Sequence, residues 1–287
     1  AWRDYWQLIW KEKDINVDIR NKQTDINQNE ISQAIVEAKT GIEAIDKAIL
    51  DLYSTGYMHN HLRMYVASIS TNIAKSYWKL PAKWMYYHLL DGDWASNALS
   101  WQWVCGANSN KKYIANQENI NKYTYSKQRN TFLDCSYEDI MRIEQPTHFK
   151  PISEELPNTE FPKSDEISID HNKPICIYNY YNLDPKWRTE IDANRILLLE
   201  PSVFKEYPIG NKAMDFMISL SKNIPSIKVY VGEFEEIIKK DSIVYFKEHP
   251  LNYNYKGNED SRDWISSVNG YYPSFFGFWN KAKKEIS

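Results

Sequence analysis

The chain has 287 residues, 43% of them hydrophobic, and a net charge of −3, which allows a substantial core and two domains of ordinary size. The first 150 residues are close to neutral and the rest mildly acidic, so no polybasic tail announces nucleic acid or a membrane surface. No run of eighteen apolar residues predicts a transmembrane helix, and no secretory signal opens the chain.

Cys105, Cys135 and Cys176 fall at no metal-binding spacing and in an odd number, and the six histidines form no H-E-x-x-H pattern. This predicts a reduced, cytoplasmic protein without a metal site. The first residue is Ala1 rather than Met, and Trp2 already reads as helix, so an upstream part is expected.

Trp2, Tyr5, Trp6, Ile9 and Trp10 recur at helical spacing and predict a first helix. Thr40 is the expected cap of a second, with Ile42, Ile45, Ile49 and Leu52 on one face and a stop near Gly56. A third is expected from about Asn60 to Trp78, and Pro81 opens a fourth. Asp93 is a good N-cap for a fifth, ending near Gly106.

Residues 107–170 are polar and broken, and the segment 151–172 is the expected linker, rich in acids and prolines. After it the pattern changes. "ICIYNYY", "RILLLEP", "IKVYVGE" and "IVYFKEH" are short apolar runs of the kind found in buried parallel strands. Helical segments, "NKAMDFMISLSKNI" and "EFEEIIKK", lie between them, and "YYPSFFGFWNKAKKE" predicts a final aromatic helix. The expected fold class is therefore α+β and multidomain: an all-α domain over residues 1–150, then a small α/β parallel-sheet domain over 173–287.

One stretch, "LLDGDWASNALSWQW" from Leu89 to Trp103, gathers unusual chemistry. With Asp93 at the N-cap, Asn97 and Trp101 follow at i+4 and i+8 and share a helix face. Such a face suits a planar heteroaromatic ligand with several hydrogen-bonding edges. The bland alternative is that Asp91 and Asp93 are turn and cap residues and the tryptophans are core. In "TGYMHNHLRM", Asn60 and Arg63 fall on the first turn of a helix. Arg63 can pair with Asp91, or contact an anion or a flavin edge.

The stretch from "EAKTG" to "WQWVCG" resembles the FAD-binding domain of DNA photolyases and cryptochromes. K-T-G, T-G-x-M-H-N-x-x-R-M, D-G-D-x-A-x-N and W-Q-W occur in the family's order at nearly its spacing. The resemblance runs from about Ala1 to Gly106 and more weakly to Asp139.

It implies FAD as the cofactor, with Arg3, Asn60, Arg63, Asp91, Asp93 and Asn97 in its pocket and Asn97 facing flavin N5. It implies that Trp101 and Trp78 are the inner members of an electron relay. Trp2, Met64 and Trp103 would line the cavity that receives a damaged pyrimidine pair. A cyclobutane dimer stacks poorly, so flipping it out costs less than flipping intact bases, and photolyases are among the enzymes that flip their target. The six-four class carries histidines where this chain has Asn60 and Met64, which favours the cyclobutane type.

The chain also departs from the family. No Trp falls between about Arg20 and Val36, where the outermost relay member would lie, and the segment after W-Q-W is replaced by "KKYIANQENINKYTYSKQRN". In typical relatives an α/β antenna domain precedes the flavin domain; here an α/β pattern follows it, and no antenna chromophore is identified. "FKEHP" and "GYYPSFFGFW" in that tail form either a site or packing.

The resemblance therefore implies a light-driven flavoenzyme that splits cyclobutane pyrimidine dimers, with damaged DNA as partner. The alternatives are a cryptochrome-like photoreceptor without repair, and a remodelled flavin-binding fold that meets a protein or RNA.

Overall fold

The computed structural model describes residues 1–152, 156–239 and 242–286. Residues 153–155 of the expected linker, Lys240 of the expected helix "EFEEIIKK", and positions 241 and 287 lie outside the described residues. The chain divides into two compact units: Glu12–Leu156, and Ala1–Lys11 together with Pro157–Ser287.

The first helix, α1 (Trp2–Glu12), forms as its apolar spacing predicts. Most of it folds with the C-terminal unit rather than with the helices that follow in sequence.

In the unit Glu12–Leu156, β1 (Ile31–Ser32) leads into α2 (Gln33–Val36), followed by α3 (Glu43–Thr55), α4 (Asn60–Ser68), α5 (Lys79–His88) and α6 (Trp94–Cys105). Then come α7 (Gln117–Thr124), α8 (Tyr137–Ile140) and β2 (Pro151–Ile152). β2 pairs antiparallel with β1, so the expected all-α unit contains a small two-stranded sheet. Both strands are two residues long, too short for any periodic pattern to show.

α3 buries Ile45, Ala48, Ile49 and Leu52, as the spacing predicts. Its N-cap is Ile42, not Thr40. Thr40 instead donates its hydroxyl to Asp46 Oδ1 at 2.7 Å and accepts the amide of Ile42 at 3.2 Å, shaping the approach to the helix. Gly56 ends α3 in the left-handed region at φ 74°, and a Cβ there would lie 2.6 Å from Leu90 Cγ. Glycine is required on both counts.

The helix expected from Asn60 to Trp78 is shorter. α4 runs into a single π-helical turn, Ile69–Ile73, closed by the Ala74 amide on Ile69 O at 2.8 Å. The chain then leaves the helix because Tyr77 N donates to Gln28 O and Gln28 Nε2 to Ser76 Oγ. Trp78 becomes the residue before α5, and Pro81 sits in the first turn, where its missing N–H costs nothing.

In the second unit, β3 (Ile175–Tyr178) and β4 (Asn194–Leu199) precede α9 (Pro201–Glu206) and α10 (Asn211–Ser221). β5 (Lys228–Val231), α11 (Phe234–Ile237), β6 (Val244–Lys247), β7 (Asn258–Asp260) and α12 (Phe275–Ile286) complete it. The sheet is parallel throughout, in the order β5-β4-β3-β6-β7. The four apolar runs supply the first four strands.

The fifth strand, the polar "NED" of β7, has no apolar signature. It is held by the approach of Gly257, where a Cβ would lie 2.7 Å from Val244 O at φ 147°. Asp260 fixes its end, accepting from Arg188 and Trp187. The core between sheet and helices is built from Ile175, Ile177, Ile196, Leu198, Phe234 and Phe246 with their neighbours.

The segment expected as a linker is bonded to this unit. Asp165 N donates to Val229 O and Ser164 Oγ accepts from Val231 N, so it covers the β5 edge. The final helix packs on α1: Trp2 stacks on Phe275 with centroids 3.7 Å apart, and Tyr5 OH donates to Tyr272 O.

Candidate flavin site

Of the residues expected in the flavin pocket, Asn60 and Arg63 lie in the first turn of α4, Asp91 and Asp93 in the turn before α6, and Asn97 in the first turn of α6. Asn60 opens α4, whose preceding residue His59 caps it by accepting from His61 N. One turn on, Arg63 donates its Nε to Met58 O at 2.6 Å and forks onto both carboxylate oxygens of Asp91, at 2.8 and 2.9 Å. This bidentate pair joins the start of α4 to the turn before α6.

That turn is fixed by Leu90 N donating to Gly56 O. Asp93 then caps α6 by accepting from Ser96 N at 2.7 Å. Asn97, one turn further, is 7% exposed and donates its amide to Ala82 O of α5 at 2.7 Å. Among the described residues no group donates to Asn97 Oδ1.

Asp91 and Asp93 thus have the structural roles of ion-pair partner and cap. A residue that caps can also line a pocket, and the donor set decides whether FAD fits. Arg63 and Asp91 are in contact, Asp93 caps α6 and Asn97 lies in its first turn, and this set of a guanidinium, carboxylates and side-chain amides has the mixed donors and acceptors that an isoalloxazine and its ribityl chain call for. The residues present fit the group.

Trp78 and Trp101, expected as relay members, are fully buried. Trp78 donates Nε1 to Asp18 Oδ1 at 2.7 Å, and the same carboxylate oxygen accepts from Tyr77 OH at 3.1 Å. Burial is the main cause that pushes the Tyr77 phenol up to about 12, with the Asp18 charge adding to it. Trp78 also stacks against Trp94 at 6.5 Å, and Trp94 donates to Asn16. Sequence reasoning missed Asp18, Asn16 and the Trp78–Trp94 contact. The two acceptors lie in a polar loop about sixty to eighty positions away and belong to no motif.

Trp103 is 40% exposed and rests against Tyr113 at 5.7 Å. Met64 is half-buried beside Asn60, its sulfur 4.0 Å from the amide nitrogen. Arg3 and Trp2 fold with the α/β unit instead, because α1 is tied there by Trp2 on Phe275, Arg262 on Gln7 and Lys11 on Glu248. Among the described residues no helix is long and apolar enough to cross a membrane. Among them also, no group of three or more His, Cys, Asp or Glu is placed to hold a metal ion.

Comparison with known proteins agrees on the helical segment. The family model described as the FAD binding domain of DNA photolyase matches residues 1–133. A deoxyribodipyrimidine photo-lyase of Vibrio cholerae is 43% identical over 77 residues, covering 27% of this chain and 16% of the relative. One from Neurospora crassa is 34% identical over 108 residues, 35% of this chain and 17% of the relative. One from Escherichia coli is 42% identical over 72 residues, 25% and 15% respectively.

The chain thus spans about a sixth of the length of these curated relatives. The match begins just before α1 and takes it in, so it crosses from one compact unit into the other. Residues 1–133 are thus similar to the FAD binding domain of DNA photolyase, a domain whose cofactor is FAD.

Proposed function

We propose that the protein is a light-driven DNA photolyase acting on cyclobutane pyrimidine dimers. The observation that carries the proposal is the Arg63–Asp91 pair, which joins the start of α4 to the turn before α6, where Asp93 caps the helix and Asn97 follows in its first turn. Arg63, Asp91, Asp93 and Asn97 would hold the FAD, whose chemistry, when bound, reduced and light-excited, would be to lend the dimer an electron that returns after splitting.

The protein's part is to hold and tune. Arg63 and Asp91 join α4 to the turn before α6, Asp93 holds the first turn of α6, and Asn60 adds an amide. Asn97 presents a neutral amide, which hydrogen-bonds without opposing a negative charge beside it. Trp101 and Trp78 are buried indoles, far easier to oxidise than Phe, and supply the electron relay. Exposed Trp103 with half-buried Met64 offers an apolar surface to a flipped base pair.

The reading is supported by the photolyase names of the relatives, and by Asn60 and Met64 standing where the six-four class has histidines. The test is to illuminate the reduced full chain, loaded with FAD, in the presence of an oligonucleotide with a thymine dimer. Recovery of the intact-thymine absorbance is expected. A folded, flavin-loaded protein that repairs nothing would leave the photoreceptor reading in its place.

A further inference from the structure

The order β5-β4-β3-β6-β7 means that the chain leaves β3 toward one edge of the sheet and leaves β6 toward the other. Loops after β3 and β6 therefore part, and a crevice opens beyond their C-terminal ends, the position where open α/β sheets take ligands. Here the crevice exists, with a volume of about 180 Å³. Asn179, Tyr181 and Asn182 line it after β3, Lys247 and His249 at β6, and Arg3 of α1 contributes from the same compact unit.

His249 is the unusual group. It is 6% exposed, and Tyr181 stacks on its ring at 4.1 Å while Trp10 meets it edge-on at 5.1 Å. Its Nδ1 accepts the Leu251 amide at 3.2 Å, so in the neutral ring the proton is on Nε2. Burial keeps the ring neutral by holding its pKa well below 6.5. That Nε2–H donor is buried with no partner among the described residues. The stacked rings prevent it from turning toward another acceptor. Leaving such a buried donor unmade is costly, so a partner is expected to take it.

A second donor, Asn182 Nδ2, is also buried without a partner in the same crevice. The other polar groups are occupied. Asn179 donates to Asn252 and accepts from Tyr181 N. Glu248 is matched by Lys11 and accepts from Trp264 Nε1. Lys247 donates to Ser261 O at 3.3 Å and lies 3.9 Å from Asp263, whose side chain is 92% exposed, so its charge is only weakly matched. The crevice thus offers unmatched donors beside the cations Lys247, Arg3 and Arg262, with the carboxylates of Asp184, Glu248 and Asp263 also on its lining.

We propose that this crevice binds a small molecule through an oxyanion, a phosphate monoester or a carboxylate. His249 Nε2–H and the Asn182 amide donate to its oxygens, and Lys247 and Arg3 meet its charge. The loop after β3, "NYYNLDP", contains no glycine with which to cradle a pyrophosphate, so a dinucleotide is not the ligand.

The test is calorimetric titration of the full chain at constant ionic strength with inorganic phosphate, glycerol 3-phosphate and succinate. Saturable one-to-one binding is expected for at least one probe, and the preferred probe separates phosphate from carboxylate. Lys247→Gln should weaken it about tenfold, the scale of one charge-assisted hydrogen bond. His249→Phe keeps the ring stack and should abolish binding. If that variant fails to fold, Asn182→Leu carries the same test, because it removes the second donor outside the ring stack. No saturable binding by any of the three probes would overturn the proposal. So would affinities unchanged in both Lys247→Gln and Asn182→Leu.

Discussion

The two units place their polar chemistry in opposite ways. In the helical unit the polar residues stand at helix ends and are mostly solvated: the Asp91 side chain is 56% exposed, and Asp93 doubles as a cap. In the α/β unit they are sealed in at the C-terminal ends of strands, with His249 at 6% exposure and Glu200 at 7%. A solvated rim can be assembled from residues that keep ordinary structural roles. A sealed polar group cannot, because burial without a partner is costly. Motifs therefore reveal the first kind of site, while for the second the sequence only flags "FKEHP" as site or packing, and the unmatched donor shows in the coordinates.

The sharpest way to break this comparison is at the relay indoles, where the helical unit does bury its chemistry. Under the proposed function, Trp101→Phe keeps an aromatic plane and should retain FAD while slowing flavin photoreduction by more than about tenfold. The stability cost should be about 1–2 kcal/mol. Trp78→Phe should slow photoreduction less. It should destabilise the fold more, since it leaves Asp18 Oδ1 without the indole donor. Bleaching of oxidised flavin under light, with a sacrificial reductant, separates the two. Unchanged photoreduction in Trp101→Phe would make that residue ordinary core.

A test on the sheet comes next. Gly257→Ala puts a Cβ 2.7 Å from Val244 O at a φ that L-residues rarely adopt, so about 2–3 kcal/mol of stability should be lost. Urea unfolding measures it. A loss below the noise would mean that β7 is held by the Asp260 ion pair alone.

The pH dependence of the α/β unit follows from His249. Its folded pKa lies below its ordinary 6.5, so above pH 6.5 both states are neutral and its stabilising contribution is full. As pH falls below 6.5 the unfolded chain binds the proton first, and stability falls until the folded pKa is reached. The limiting slope is about 1.4 kcal/mol per pH unit. Replacing His249 by Phe should remove this slope between pH 6.5 and 5, as read by thermal melts. A slope that persists in the variant would assign it to the carboxylates.

What the sequence made legible follows the same division. The helix face of Asn97 and Trp101, the Asp93 cap, the Gly106 stop and the Arg63–Asp91 pair all depend on spacings within a few tens of residues. Four strands were visible as apolar runs because both faces of a parallel sheet are buried. β7 was not, because its hold comes from a glycine's close approach and from Arg188, more than seventy positions earlier. The allegiance of α1 was hidden as well: its apolar face shows that it buries something, and its partner α12 lies at the far end of the chain. Thr40 was misplaced as a cap because it stands two residues early and works through Asp46.

The smallest effect on stability is expected at the Arg63–Asp91 pair, and its smallness is what makes it useful. Asp91→Asn removes a charge from a mostly solvated bridge, and such pairs contribute about 0–1 kcal/mol. Arg63 keeps its bond to Met58 O, so the start of α4 should stay in place. If the pair is only structural, the variant should bind FAD as the parent does. If the pair helps hold FAD, as proposed, the variant should melt within about 1 kcal/mol of the parent yet release FAD about tenfold more readily. Fluorescence of released flavin on dilution measures this loss directly. Equal FAD retention at equal stability would return Arg63 and Asp91 to the role of a surface ion pair and leave Asn97 as the main polar contact on that face.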